Sequence, residues 1–154
     1  MTLSDEASRD PQRWPDRLLR VCLIATAVLM FMQSVLAGLF MGGMHWAFAA
    51  HRELATIAGV AVMVSIVAAI LARRFGQAPR WPIAATIGML ALMSLQAFAG
   101  FRSLTALHVP LGVIVILLSV LFAGWSLRAR VPHPARSAPR RPEGLPSERA
   151  GVLE

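Results

Sequence analysis

The sequence predicts an all-α integral membrane protein: an up-down-up-down four-helix bundle made of two pseudo-repeated hairpins. Three observations carry that prediction. Of the 154 residues, 56% are apolar, more than a soluble chain this short can bury. The stretches 21–50, 54–72, 81–101 and 103–127 contain no Asp, Glu, Lys or Arg. Each is long enough to supply the roughly 20 apolar residues of a membrane-spanning helix. The basic residues gather between and beyond these stretches, almost all on one side of the predicted spans.

The elements follow in order. Residues 1–17 are polar and contain Pro11 and Pro15. They read as a short disordered or interfacial lead-in, with Trp14 at headgroup level. Helix 1 is expected near 19–42. Ala47-Phe48-Ala49 imitates a signal-peptide cleavage site. The apolar segment before it is about twice as long as the roughly 7–15 residues of a signal h-region, so it reads as a retained span. Helix 2 is expected near 50–72. Arg73 to Arg80 connect it to helix 3, near 82–101, which opens on Trp81-Pro82. Proline suits a first helical turn because the N–H it lacks has no partner there. Phe101 to Ala106 lead into helix 4, near 106–127. Connections this short force neighbouring helices antiparallel. The folded domain is therefore 18–128. Residues 129–154 place Pro132, Pro134, Pro139, Pro142 and Pro146 among arginines. That composition reads as a disordered tail that cannot bury a core.

All 15 basic residues are arginine and the net charge is +7. Arg52 and Arg102 alone fall on one side of the predicted spans; the other 13 fall on the opposite side. This positive-inside asymmetry predicts a multi-pass protein of the cell (plasma or inner) membrane with both termini cytoplasmic. The charge then reports topology and contact with anionic lipid of the bilayer, and no nucleic-acid partner is expected. Cys22 is the single cysteine, which excludes an intramolecular disulfide and a cysteine-based metal site. No span carries a charged residue at its centre, which argues against an ion path. The eight methionines are scattered and read as core filler.

Beneath these features lies an internal repeat. Helix 1 carries QSVLAGLF (33–40) and helix 3 carries QAFAGF (96–101). Each then turns and reaches a histidine that opens the next helix, in HRELATIAGV (51–60) and HVPLGVIVIL (108–117). A small residue follows each histidine by four positions, Ala55 and Gly112. Gln33 and His51 are 18 residues apart, Gln96 and His108 only 12, so the first hairpin is longer.

Helices 2 and 4 are diagonal partners in such a bundle, about 14 Å apart if neighbours pack at about 8–10 Å. They run in the same direction, so His51 and His108 start at one depth. Two imidazoles facing inward across that diagonal could hold one metal, and an iron porphyrin with two axial histidines suits the gap. Ala55 and Gly112 lie on the same faces as their histidines, where a flat macrocycle needs room. Ala58 and Gly59 extend that space on helix 2, while Gly38 and Gly100 thin the flanking helices. Gln33 and Gln96 could hydrogen-bond a histidine, a backbone carbonyl or the cofactor edge. Arg52 and Arg102 are placed to pair with propionates. Of the other histidines, His45 falls in the outer loop and His133 in the tail.

A cofactor-free reading stands beside this one. The histidines could be interfacial residues, the glutamines interhelical hydrogen-bonding groups, and the small residues packing contacts. The chain would then be a non-enzymatic structural or accessory membrane subunit.

The stretch LQAFAGFRSLTALHVPLG (95–112) resembles the third-to-fourth helix hairpin within one half of heme A synthase. FMQSVLAGLF (31–40) followed by His51-Arg52 resembles the preceding hairpin. The likeness spans about residues 28–125. It implies that His51 and His108 are axial ligands of a heme iron. The family carries two such bundles in eight core spans, where this chain carries one. Its first ligand histidine lies in a Glu-x-x-His-Arg motif, and here the Glu position holds Phe48. The paired outer-loop cysteines of many bacterial members are absent. The resemblance therefore implies a small heme-binding relative with one b-type heme, for electron transfer or heme handling, and not heme A synthesis. A membrane redox partner, or a homodimer imitating the eight-span arrangement, is the kind of protein partner this admits.

Overall fold

The structure, a computed structural model, describes residues 14–76 and 78–128. It contains four helices: α1 (Trp14–Met41), α2 (Trp46–Phe75), α3 (Trp81–Phe101) and α4 (Thr105–Arg128). All four are long and apolar enough to cross a membrane, and the protein is a multi-pass helical bundle. Each helix packs against the next, and α4 closes back onto α1. Among the described residues, the diagonal pairs α1–α3 and α2–α4 make no close backbone approach. The predicted diagonal relation of α2 and α4 is therefore the observed one.

The ends differ from expectation in small ways. α1 begins at Trp14, so the last part of the predicted lead-in is helical. Pro15 fits a first turn, and Asp16 in that turn complements the positive end of the helix dipole. α2 begins at Trp46, ahead of the expected residue 50. Gly43 makes the preceding turn with φ of 96°, a conformation that suits glycine. The predicted disordered segments 1–13 and 129–154 lie outside the described residues.

The exterior is apolar, as a lipid solvent favours, and the interior mixes apolar side chains with small and polar ones. Val21, Val28, Phe31, Val64, Val67, Leu117 and Leu121 are exposed. Thr26, Gln33, Ser65, Thr86 and Ser119 are buried. On α2 the buried residues are mostly small: Ala58, Ser65, Ala68, Ala69 and Ala72. Small residues let the α1 backbone come close, and there Thr26 and Ser65 join their hydroxyls at 3.2 Å. The Ser65 hydroxyl also donates to the Ala61 carbonyl at 2.8 Å. At mid-bundle Met30, Ala58, Val62, Met89 and Val115, drawn from all four helices, form one core cluster.

The repeat is structural as well as sequential. Leu19, Leu23, Thr26, Met30 and Gln33 form the buried face of α1. Pro82, Thr86 and Met89 are buried on α3, Met93 packs on the core beside them, and all four keep the same register relative to Gln96. Ala58 and Val62 of α2 match Val115 and Ser119 of α4, counted from their histidines. The extra length of the first hairpin is mostly helix. α1 continues to Met41, eight residues past Gln33, whereas α3 ends at Phe101, five past Gln96.

Candidate functional site

His51 and His108 lie at one end of the bundle, opposite the end that carries Arg17, Arg20, Arg73, Arg74, Arg80 and Arg128. Both are half-buried. Their rings face each other across the α2–α4 diagonal with centroids 6.5 Å apart and planes at 71°. Nothing in the intervening sequence brings them together. The ring order of the helices does, with the equal depth that the repeat imposes.

Each imidazole is tied to the helix before it. Nδ1 of His51 lies 3.1 Å from the Gln33 carbonyl oxygen, and Nδ1 of His108 lies 2.8 Å from that of Gln96. A carbonyl oxygen only accepts, so Nδ1 carries the proton in both rings. Nε2 is left with a free lone pair on the ring edge away from the carbonyl. This is the tautomer of a metal-binding histidine whose other nitrogen is fixed by an outer hydrogen bond.

The two glutamines are not equivalent. Gln33 is buried, and its Nε2 donates back to the His51 carbonyl at 3.0 Å. Its Oε1 is buried with no hydrogen-bond partner. The amide of Gln96 lies instead against α4: a Cβ on Gly112 would meet Gln96 Nε2 at 2.9 Å. The room that Gly112 provides is thus taken by Gln96, not left open for a flat ring. Ala55 is half-buried on the His51 side of α2.

Gly100 and Gly38 also part company. A Cβ on Gly100 would stand 3.0 Å from Nδ1 and Cε1 of His108. The bare backbone there lets the imidazole reach the Gln96 carbonyl. Gly38 is exposed with nothing within 4 Å of its would-be Cβ, so it does not thin α1 at the site. Gly59 likewise meets open space, whereas Ala58 belongs to the core.

Arg52 and Arg102 are both exposed at this end. The Arg52 guanidinium lies 5.9 Å from the Phe48 ring centroid and 6.0 Å from that of Phe101. Phe48 packs in turn on Phe40, centroids 5.0 Å apart. This aromatic platform joins the two hairpins through Arg52, and sequence reading missed it because its members sit in three different segments. Arg102 occupies the turn after α3, its N–H bonded to the Phe98 carbonyl at 3.0 Å. His45 lies outside the site, exposed at the start of α2.

A shallow apolar surface cleft lies at the opposite, arginine-bearing end, walled by Leu23, Trp81, Phe122 and Trp125. Thr86 lines it too, but its hydroxyl is bonded to the Pro82 carbonyl at 2.8 Å. It holds no group suited to chemistry, and the paired histidines are the better candidate.

The fold and the site define a class: a multi-pass helical membrane protein with a paired-histidine site at one end of its bundle. No known protein family, characterised protein or solved structure gives a significant match to the chain.

Proposed function

We propose that the chain is a membrane heme protein that holds one b-type heme between His51 and His108. One observation carries this reading: two imidazoles with free Nε2 lone pairs, their centroids 6.5 Å apart. Each Nε2 would offer its lone pair to a heme iron held between the two rings.

The donor set points the same way. Among the described residues, no group of three or more His, Cys, Asp or Glu could hold a bare metal ion. Two protein ligands alone suit an iron whose other ligands come from a macrocycle, and imidazole is a common axial ligand of such iron. The unpartnered Oε1 of Gln33 offers an acceptor for a polar group or water at the site. Arg52 and Arg102 lie at the same end, where propionates would meet the interface. The resemblance of the two hairpins to a half of heme A synthase agrees with this assignment.

The chemistry the heme supplies when bound is one-electron exchange at iron, for electron transfer or heme handling. The chain's own part is to hold both imidazoles in one tautomer and at one separation. By the positive-inside rule we infer that the arginine-bearing end faces the cytoplasm and the histidines face outward. Extraction of purified protein from heme-replete cells into alkaline pyridine tests the reading. One b-type heme per chain is expected, and a colourless extract overturns it.

The reciprocal Gln33–His51 bonds also favour a second reading, in which the histidines only fasten each hairpin. That reading predicts a colourless protein.

A further inference from the structure

We propose that the arginine-bearing end of the bundle carries a binding site for one anionic phospholipid. Its phosphate lies between Arg80 and Arg128, and an acyl chain lies in the apolar cleft beneath them. The site is independent of the heme reading.

Chain direction builds the site. α3 and α4 pack against each other and run antiparallel, so the start of α3 and the end of α4 lie at one depth. Arg80 is the residue before α3, and Arg128 ends α4. Both are exposed. Each stands beside a tryptophan of the cleft. Trp81 follows Arg80 directly. Trp125 precedes Arg128 by three residues, which places it on the same face of α4, one turn deeper. The two indoles meet edge to face with centroids 4.4 Å apart, and Trp81 meets Phe122 at 5.9 Å. Leu23 of α1 and Ala85 of α3 complete the walls.

The charge above this cleft has little to match it. The described residues of this end hold six arginines and one carboxylate, Asp16. Asp16 is engaged elsewhere. Its Oδ1 lies against Gly76 at the end of α2, 2.7 Å from where a Cβ would stand, and the nearby cation is Arg20. Neither α3 nor α4 carries an acidic residue. The positive-inside rule accounts for the sign of these arginines. It does not account for two of them crowning an aromatic-walled slot.

Charge above and an apolar slot below select the occupant. The cleft is too shallow to enclose a small molecule, but a hydrocarbon chain lying along the helices needs only a slot. From Trp81 to Thr86 that slot runs about 7–8 Å along the helix axis. A soluble anion gains nothing from it, and a lipid without net charge leaves the arginines unmatched. A phosphodiester accepts charge-assisted hydrogen bonds from guanidinium groups, at the headgroup level where tryptophan gathers. A second copy of the chain in the same orientation would bring its own arginines against these, and like charges repel.

The test titrates the purified full chain, stripped of lipid in detergent, with phosphatidylglycerol and with phosphatidylcholine of identical acyl chains. Native mass spectrometry counts the bound lipid. The first phosphatidylglycerol is expected to bind about 5- to 30-fold tighter than phosphatidylcholine, since each arginine near a membrane surface contributes about fivefold. Arg80→Gln/Arg128→Gln removes that preference. Arg17→Gln/Arg74→Gln takes the same charge from α1 and α2 and leaves it within about twofold. Ala85→Phe keeps every arginine but fills the slot, and should weaken the first binding event at least about fourfold, the worth of one displaced methylene. Equal affinity for the two lipids overturns the inference. Equal losses in the two arginine pairs also overturn it, because they assign the preference to the general field of the basic end. Glycerol phosphate, a headgroup without chains, binding as tightly as phosphatidylglycerol overturns it in favour of a free anion. A stable dimer that excludes lipid assigns the face to a second copy and overturns it as well. A heme-free preparation bears on the heme reading alone and leaves each of these outcomes decisive.

Discussion

Gln33 and His51 bind each other twice: the Gln33 amide donates to the His51 carbonyl at 3.0 Å, and the His51 ring donates to the Gln33 carbonyl at 3.1 Å. The pair closes α1 onto α2 at the end of the bundle where the two imidazoles meet. Replacing Gln33 by Ala removes one of the two bonds and leaves the backbone acceptor of the other. Interhelical hydrogen bonds in membranes are worth about 1 kcal/mol, and a loss of that size is expected for Gln33→Ala. Gln96→Ala should cost less, because no hydrogen bond joins its amide to His108. Unfolding of the two variants in detergent micelles checks the order; an equal or reversed cost contradicts it.

Gly100 and Gly38 give a sharper contrast. A methyl group at Gly100 would stand 3.0 Å from two atoms of the His108 ring. Gly100→Ala should therefore displace the imidazole from the Gln96 carbonyl and shift any bound heme toward high spin. Gly38→Ala meets open space and should leave the spectrum unchanged, with a stability change within about 0.5 kcal/mol. Optical spectra of the two variants, side by side, decide the matter.

Thr26 and Ser65 share a buried hydroxyl contact at 3.2 Å. Ser65→Ala removes the partner of the buried Thr26 hydroxyl, whereas Thr26→Val leaves Ser65 its bond to the Ala61 carbonyl. The double variant should be less destabilised than the sum of the singles, with a coupling of about 0.5–1 kcal/mol. Strict additivity would mean that the contact contributes nothing.

The inferred sidedness has its own check. In a Cys22→Ser background, a Ser103→Cys protein should react with a membrane-impermeant maleimide added to intact cells. An Arg80→Cys protein should react only after lysis. The opposite pattern reverses the topology.

Much of the fold was legible because arginines bracket each span and nothing charged interrupts it. The ends were less so. Trp14 to Arg17 read as lead-in because they are polar and contain proline, yet Pro15 and Asp16 are what a first helical turn accepts. The site was legible in its histidines, since the repeat sets them at one depth. Its fine structure was not. Both rings are held by backbone carbonyls, and a carbonyl leaves no mark in a sequence. The glycines of the repeat looked alike, but Gly100 follows Gln96 by four residues and Gly38 follows Gln33 by five. One residue turns a helix by about 100°, enough to place Gly100 against His108 and Gly38 against open space.

The most direct test of the paired-histidine site is the reduced-minus-oxidised spectrum of the purified protein, compared with that of a His51→Ala/His108→Ala double variant. A low-spin b-type difference spectrum in the wild type and none in the folded double variant is the predicted result. A wild type without heme bands, or a double variant whose bands match the wild type, contradicts it.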